Sequence, residues 1–162
     1  MKKIKVGVIF GGQSTEHDVS VVSGSSVIKN LNKEKYEIYP IFISKDGEWF
    51  HYMKPVQDIE IFEIGEQPKE LEKISNEFGI LKKQDIIFPV LHGLYGEDGT
   101  IQGLLELLKV PYVGCKVLAS GICMDKVYAK MIFEKANINQ AKAVVVNAKN
   151  GYTYVDEELN HI

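Results

Sequence analysis

Apolar and polar positions fall into short blocks along this chain, and the spacing within each block separates strands from helices. Val6 to Phe10 is a β-branched and aromatic run closed by Gly11-Gly12, which predicts a buried strand feeding a tight turn. A helix follows, since from His17 onward Val19, Val22, Val27 and Leu31 recur at about helical spacing, with Asn30 and Asn32 near the end. Ile38 to Ile43 reads as the second strand. Pro40 has no N–H to give a ladder, so this strand is expected at a sheet edge or with a bulge. Strand, glycine turn, helix and strand open a doubly wound α/β unit.

The next block differs in texture. Lys45-Asp46-Gly47 is turn chemistry, and Trp49 to Tyr52 and Ile59 to Ile64 read as short strands of an excursion from the main sheet. Pro68 to Ser75 reads as a helix ended by the Asn76 to Gly79 region. Asp85 to Leu91 is another apolar strand, followed by a helix whose face is Ile101, Leu104, Leu105 and Leu108, with Asp98 as its cap. Pro111 to Gly114 predicts a short strand, and Met124 to Ala136 an amphipathic helix built on Val127, Met131 and Ile132. Ala143 to Val146 begins a new strand, and Asp156 to Ile162 reads as the start of a helix. The pattern as a whole predicts an open, mostly parallel, doubly wound sheet.

Composition narrows the function classes. Of 162 residues, 45% are hydrophobic and 25% charged, as in an ordinary globular protein. The formal net charge of −3, dispersed lysines and the absence of arginine leave no basic patch for a nucleic acid. The start, Met1 to Val6, is basic but breaks into glycine before any signal-like apolar core, and no stretch is long enough to span a bilayer. Cys115 and Cys123 form no CxxC pair and have no histidine cluster beside them, so no metal site is expected. Two buried thiols in a reducing cytoplasm are the expectation.

Two glycine-rich segments carry the candidate chemistry, each at the carboxyl end of a predicted strand, where open parallel sheets bind ligands. The first, Phe10-Gly11-Gly12-Gln13-Ser14-Thr15-Glu16-His17-Asp18-Val19-Ser20, offers backbone N–H groups and hydroxyls, Ser14 among them, ahead of a helix. It lacks GxGxxG and a Walker lysine, and Glu16 and Asp18 make the first helical turn acidic. Glu16 there is either an ordinary dipole-favoured acid or a partner for a cation such as an ammonium group. His17 and Asp18 read as surface residues.

The second segment, Leu91-His92-Gly93-Leu94-Tyr95-Gly96-Glu97-Asp98-Gly99-Thr100-Ile101-Gln102-Gly103, places a histidine and two carboxylates among glycines. Alone, His92 would be a hydrogen-bonded structural histidine; beside Glu97 it gains a carboxylate able to fix its tautomer and raise its basicity. Glu97 either orients His92 or meets substrate itself. Lys126, at a helix start after Gly114 and Ser120, is a solvated lysine or a phosphate contact.

Together these segments resemble the D-alanine:D-alanine ligase family, with its D-serine and D-lactate variants. The resemblance lies in Gly11 to Ser20, His92 to Leu107, Pro111-Tyr112-Val113-Gly114 and Met124-Asp125-Lys126, and covers residues 4 to about 137. It implies a Rossmann-like N-terminal substrate domain over residues 1–122 and the first elements of an ATP-grasp domain over 123–162. It further implies ATP and magnesium as cofactors, and D-alanine plus a second D-amino acid as substrates, joined through an acyl phosphate for peptidoglycan precursors. By the same resemblance Glu16 holds the ammonium of the first D-alanine, Ser14 and His92 share that substrate site, Glu97 supports them, and Lys126 meets ATP phosphates. No nucleic acid or membrane is implied, and a homodimer is compatible.

There are departures. Asn137-Ile138-Asn139-Gln140-Ala141-Lys142 stands where the family usually has glycine and prolines, and Ser120-Gly121-Ile122-Cys123 lacks the usual alanine after the serine. Gly47-Glu48-Trp49-Phe50-His51-Tyr52, Val113-Gly114-Cys115 and Cys123-Met124-Asp125-Lys126 resemble the G-type vancomycin-resistance D-alanine:D-serine ligases. Two other classes stand beside the ligase: a non-catalytic α/β ligand-binding module, and an interaction module using the Trp49 to Phe62 excursion as its contact surface. The isolated 162-residue chain is expected to be inactive.

Overall fold

The computed structural model describes residues 2–148 and 151–155, and divides into two compact units, Met1–Gly121 and Ile122–Ile162. In the first unit a five-stranded sheet runs in the order β4-β3-β2-β1-β5. Its strands are β1 (Ile4–Gly11), β2 (Tyr36–Ile43), β3 (Trp49–Tyr52), β4 (Leu71–Lys73) and β5 (Ile86–Pro89). β1 pairs in parallel with β2 on one side and β5 on the other, while β3 and β4 join antiparallel. The helices α1 (His17–Asn30), α2 (Glu77–Lys82), α3 (Thr100–Leu108) and α4 (Val117–Met124) complete the unit, the division falling within α4. The second contains α5 (Lys126–Lys135) and the antiparallel pair β6 (Val144–Ala148) and β7 (Gly151–Val155).

β1 is buried on both faces, as a central parallel strand must be. Val6, Val8 and Phe10 pack with Val21 and Ile28 of α1, whereas Ile9 packs on the other face with Leu81 of α2 and Ile101 and Leu105 of α3. The α1 face is only in part the valine stripe the spacing predicts, with Val27 and Leu31 packing against the core from partly buried positions. Its buried residues are His17, Ser20, Val21, Gly24, Ser25 and Ile28, and Val19 is exposed. The cause is close packing. A Cβ on Gly24 would stand 2.3 Å from the Cβ of Phe10, so small residues let the helix approach a large strand side chain.

Other expectations are corrected. β2 is internal, but β3 pairs only with Ile41–Ile43. The Ile43 carbonyl accepts from Gly12 N–H, so odd positions bond toward β1 and Pro40 faces the side beyond the end of the β3 ladder. Residues 59–64 form no strand; Ile59 is buried in the core and the Phe62 N–H donates to the Ser25 hydroxyl at 3.0 Å. Pro68–Ser75 holds β4 rather than a helix, and Asn76 starts α2 instead of ending one, accepting from Gly79 N–H. Residues 111–114 contribute a single bridge, Tyr112 to Ile87.

The predicted helix over 124–136 is α5, which starts at Lys126 because the Asp125 side chain caps it by accepting from Val127 and Tyr128 N–H, while Met124 ends the preceding α4. Ala129 is its buried residue, and Met131 and Ile132 are exposed. Both cysteines are exposed, contrary to expectation. The helix expected over 156–162 lies outside the described residues. Among the described residues no helix is long and apolar enough to cross a membrane.

Candidate functional site

β1 sits where the chain turns one way to β2 and the other way to β5, the crevice in which open parallel sheets bind ligands. Both glycine-rich loops leave strands at this crevice. The buried Ser20 hydroxyl of α1 accepts from Gly11 N–H at 2.8 Å and donates to the Val90 carbonyl at 2.5 Å, lacing the ends of β1 and β5 together. The loops therefore start from a fixed base.

Ser14 joins the loops to one another. Its hydroxyl donates to the His92 carbonyl at 2.6 Å and accepts from Glu16 N–H at 3.1 Å. Glu16 is the N-cap residue of α1, yet its side chain makes no cap bond, and its carbonyl accepts from Ser20 N–H. Among the described residues its exposed carboxylate takes part in no hydrogen bond or ion pair. It lies against Gly93, where an added Cβ would stand 2.6 Å from Oε2. Gly93, buried at φ +68°, thus provides both the turn and the room for this carboxylate. An acidic side chain is favourably placed at the positive end of the helix dipole, and its open oxygens can receive a cation.

His92, the residue before Gly93, is half-buried. Its Nε2 lies 2.9 Å from Ser23 Oγ, and that hydroxyl donates to the Val19 carbonyl at 2.8 Å. Ser23 consequently accepts from Nε2–H, an assignment resting on this bonding network. Nδ1 is 4.0 Å from Glu97 Oε1, beyond hydrogen-bond distance, while Glu97 Oε2 accepts from Gly93 N–H at 2.8 Å. Glu97 holds the glycine that faces Glu16.

Asp98 is not the N-cap of α3. That position belongs to Gly99 at φ +95°, and Asp98 folds back one residue earlier to accept from Tyr95 and Thr100 N–H, both at 2.9 Å. Burial pushes the Asp98 carboxyl up, but the bonds from Thr100 and Tyr95 outweigh it and hold the group below the usual carboxylate range.

His17 and Asp18 are not simple surface residues. His17 is 1% exposed, with Nδ1 2.6 Å from the Gly12 carbonyl and Nε2 2.9 Å from Gln67 Oε1. Gln67 Nε2 donates to Asp18 Oδ1 at 3.0 Å, and Lys45 Nζ lies 3.1 Å from the same oxygen. Sequence spacing held a signal for this: positions 17, 20, 21, 24, 25 and 28 form one helical face, disguised because its members are mostly polar or small. A cavity of about 250 Å³ beside His92 was not foreseen either; its walls include Gln13, Ile43, Trp49, Leu91, Tyr95 and Leu104. Glu16 is not part of that wall.

Residues 5–115 match the family model described as D-ala D-ala ligase N-terminus. The chain belongs to the D-alanine:D-alanine ligase family. It is 55% identical to the D-alanine–D-alanine ligase of Clostridium novyi (strain NT) over 151 residues, which covers 91% of this chain and 43% of that protein. Among solved structures it resembles the VanG D-Ala:D-Ser ligase from Enterococcus faecalis at 41% identity and a TM-score of 0.74, covering 92% of this chain and 46% of the other. It also resembles the D-alanine–D-alanine ligase from Bacillus anthracis complexed with ATP, at 33% identity and a TM-score of 0.68, covering 99% and 43%. The chain spans less than half the length of these ligases.

The segment matched to the ligase family contains Ser14, Glu16, His92 and Glu97, whereas Lys126 follows it in the second unit. Lys126 is exposed at the start of α5, with Nζ 3.5 Å from the Cys123 carbonyl, a weak contact that leaves its charge in solvent. Among the described residues no group of three His, Cys, Asp or Glu side chains is placed to hold a metal ion. The two loops together offer one uncommitted carboxylate, one half-buried imidazole and a fixed base.

Proposed function

We propose that this chain is the first-substrate part of an ATP-dependent D-alanine:D-alanine ligase that makes the D-alanyl-D-alanine dipeptide for peptidoglycan precursors in the cytoplasm. The observation that carries the reading is the Glu16 carboxylate at a helix N-terminus, without a partner among the described residues and seated against Gly93. It pairs with the ammonium of the first D-alanine. His92, held by Ser23, orients the bound amino acid, while Ser14 and Glu97 keep the two loops in register. Binding and orientation of this kind convert a bimolecular step into a nearly unimolecular one.

ATP with magnesium would supply the phosphoryl group that activates the first substrate's carboxylate before the second amine attacks. The residues described here fit one phosphate contact, Lys126, and no magnesium ligand set. Residues 1–122 accordingly act as the substrate domain and 123–162 as the opening of an ATP-grasp domain. D-Alanine as the second substrate is supported by the 55% identity to a D-alanine–D-alanine ligase; the 41% identity to VanG supports D-serine as the alternative. The excursion does not favour an interaction module, because Tyr52, Ile59 and Phe62 turn into the core.

The test is Glu16→Gln in the complete gene product, assayed with ATP, D-alanine and either D-alanine or D-serine. A severe loss in use of the first D-amino acid is expected, and unchanged kinetics would return Glu16 to a helix-dipole role. The 162-residue chain alone is expected to release no phosphate in response to D-alanine; turnover by it would overturn this division of labour.

A further inference from the structure

His17 is the one fully buried ionisable side chain among the described residues, and it lies at the base of the loop that presents Glu16. Each of its ring nitrogens faces an oxygen. The Gly12 carbonyl, at 2.6 Å from Nδ1, can only accept. Gln67 presents Oε1 to Nε2 at 2.9 Å because its amide nitrogen is committed to the Asp18 carboxylate at 3.0 Å. Turning that amide over would set Gln67 oxygen against Asp18 oxygen, two acceptors with no proton between them.

We propose that His17 is a positioning residue of the first-substrate site, donating from both ring nitrogens to clamp the glycine loop on one side and the 53–70 excursion on the other. Four observations converge on it. The ring bonds Gly12 while its own backbone N–H donates to the Ser14 carbonyl at 3.2 Å, so one residue brackets the turn that carries Ser14 and Glu16. Gln67 brings in the excursion, which has only the short strands β3 and β4 on either side of it. The ring edge rests on Phe42 at 5.6 Å between centroids, which fixes its plane. Gln67 is itself held by Asp18, whose carboxylate also meets Lys45, so the excursion side of the clamp is fixed in turn.

Two acceptors meet the ring directly, and Asp18 stands one side chain beyond, behind Gln67. The clamp acts on Glu16 indirectly: with the turn closed, Ser14 can reach both Glu16 N–H and the His92 carbonyl. The excursion is thereby coupled to the substrate loop without touching the substrate.

The proposal rests on Glu16 as the ammonium-binding carboxylate, and two kinds of measurement keep the layers apart. Nitrogen-15 NMR of the 162-residue chain reads the ring directly, with the His17 signals assigned by their loss in His17→Phe. Two protonated ring nitrogens are expected, and in Gln67→Ala the Nε2 signal alone should move. A bare ring nitrogen in the unaltered chain, or no response to Gln67→Ala, would overturn the clamp whatever the protein's activity.

In the complete gene product, His17→Phe should raise KM for the first D-amino acid about tenfold with a much smaller change in kcat. His17→Asn, whose amide can reproduce the Nδ1 bond to Gly12, should recover most of the loss. Gln67→Ala, at a half-buried loop position, should give a smaller rise in KM if His17→Phe does not fold. Unchanged KM in Gln67→Ala and in folded His17→Phe overturns the positioning role. If instead Glu16→Gln has no effect while both ring nitrogens are protonated, the substrate assignment fails and the clamp stands.

Discussion

The two loops at the sheet crevice hold the same residue types and use them in opposite ways. In the first, the histidine is structural and the acid uncommitted: His17 is buried with both ring nitrogens bonded, and Glu16 has no side-chain partner among the described residues. In the second the acids are structural and the histidine available. Glu97 and Asp98 accept from Gly93, Tyr95 and Thr100 N–H, whereas His92 is half-buried with only Nε2 in a hydrogen bond. A side chain's role at this crevice follows from its remaining hydrogen-bonding capacity, not from its neighbours in a motif. One available group from each loop would make the proposed site.

The largest effect that would break this comparison belongs to Glu16. Glu16→Gln keeps the shape and removes the charge, so kcat/KM for the first D-amino acid in the complete gene product should fall about a hundredfold or more. Gly93→Ala comes next. Its Cβ would meet Glu16 Oε2 at 2.6 Å and Ser14 at 3.3 Å, in a backbone conformation that opposes a side chain. About 1–2 kcal/mol of stability should be lost, together with roughly tenfold in affinity for the first substrate. A stable Gly93→Ala protein with unaltered kinetics would show that the carboxylate does not need its seat.

Much of the scaffold was legible because parallel strands buried on both faces read as unbroken apolar runs, as β1, β2 and β5 do. The placement of both loops followed from the same reading. What periodicity could not deliver were faces defined by smallness and polarity. Ser20, Gly24 and Ser25 of α1 look like solvent-facing residues until Phe10 and the strand ends are set against them. β4 was hidden for a different reason. Leu71-Glu72-Lys73 has helical propensity, and its strand exists through pairing with Phe50, His51 and Tyr52. His17 was misjudged because its partner, Gln67, is fifty positions away in sequence.

A smaller effect is expected at Glu97, and it sharpens the contrast between committed and free acids. Its Oε2 accepts from Gly93 N–H at 2.8 Å, and Oε1 is 4.0 Å from His92 Nδ1. Glu97→Gln retains an acceptor and removes the charge, so a loss of roughly fivefold in kcat/KM, equivalent to about 1 kcal/mol, is expected. The change should exceed any change in folding stability. A hundredfold loss would instead place Glu97 in direct contact with substrate and undo its assignment as a support.

Asp98 should matter least to substrate and most clearly to pH. Its carboxylate accepts from two backbone N–H groups and is held below the usual carboxylate range despite burial, so the folded protein favours the ionised form. A carboxyl depressed on folding contributes stability above its unfolded value, near pH 4, and loses that contribution as pH falls through the lower folded value. Asp98→Asn removes the charge at every pH. The unaltered chain should therefore exceed it in stability by about 1 kcal/mol at pH 7, and the gap should close below about pH 4. Urea unfolding at the two pH values, followed through the Tyr95 and Thr100 amide resonances, measures that difference while the other carboxylates cancel between the two proteins. A gap that stays constant into acid would mean that the N–H groups of this loop do not select the ionised carboxylate, and the distinction between its acids and Glu16 would lose its electrostatic basis.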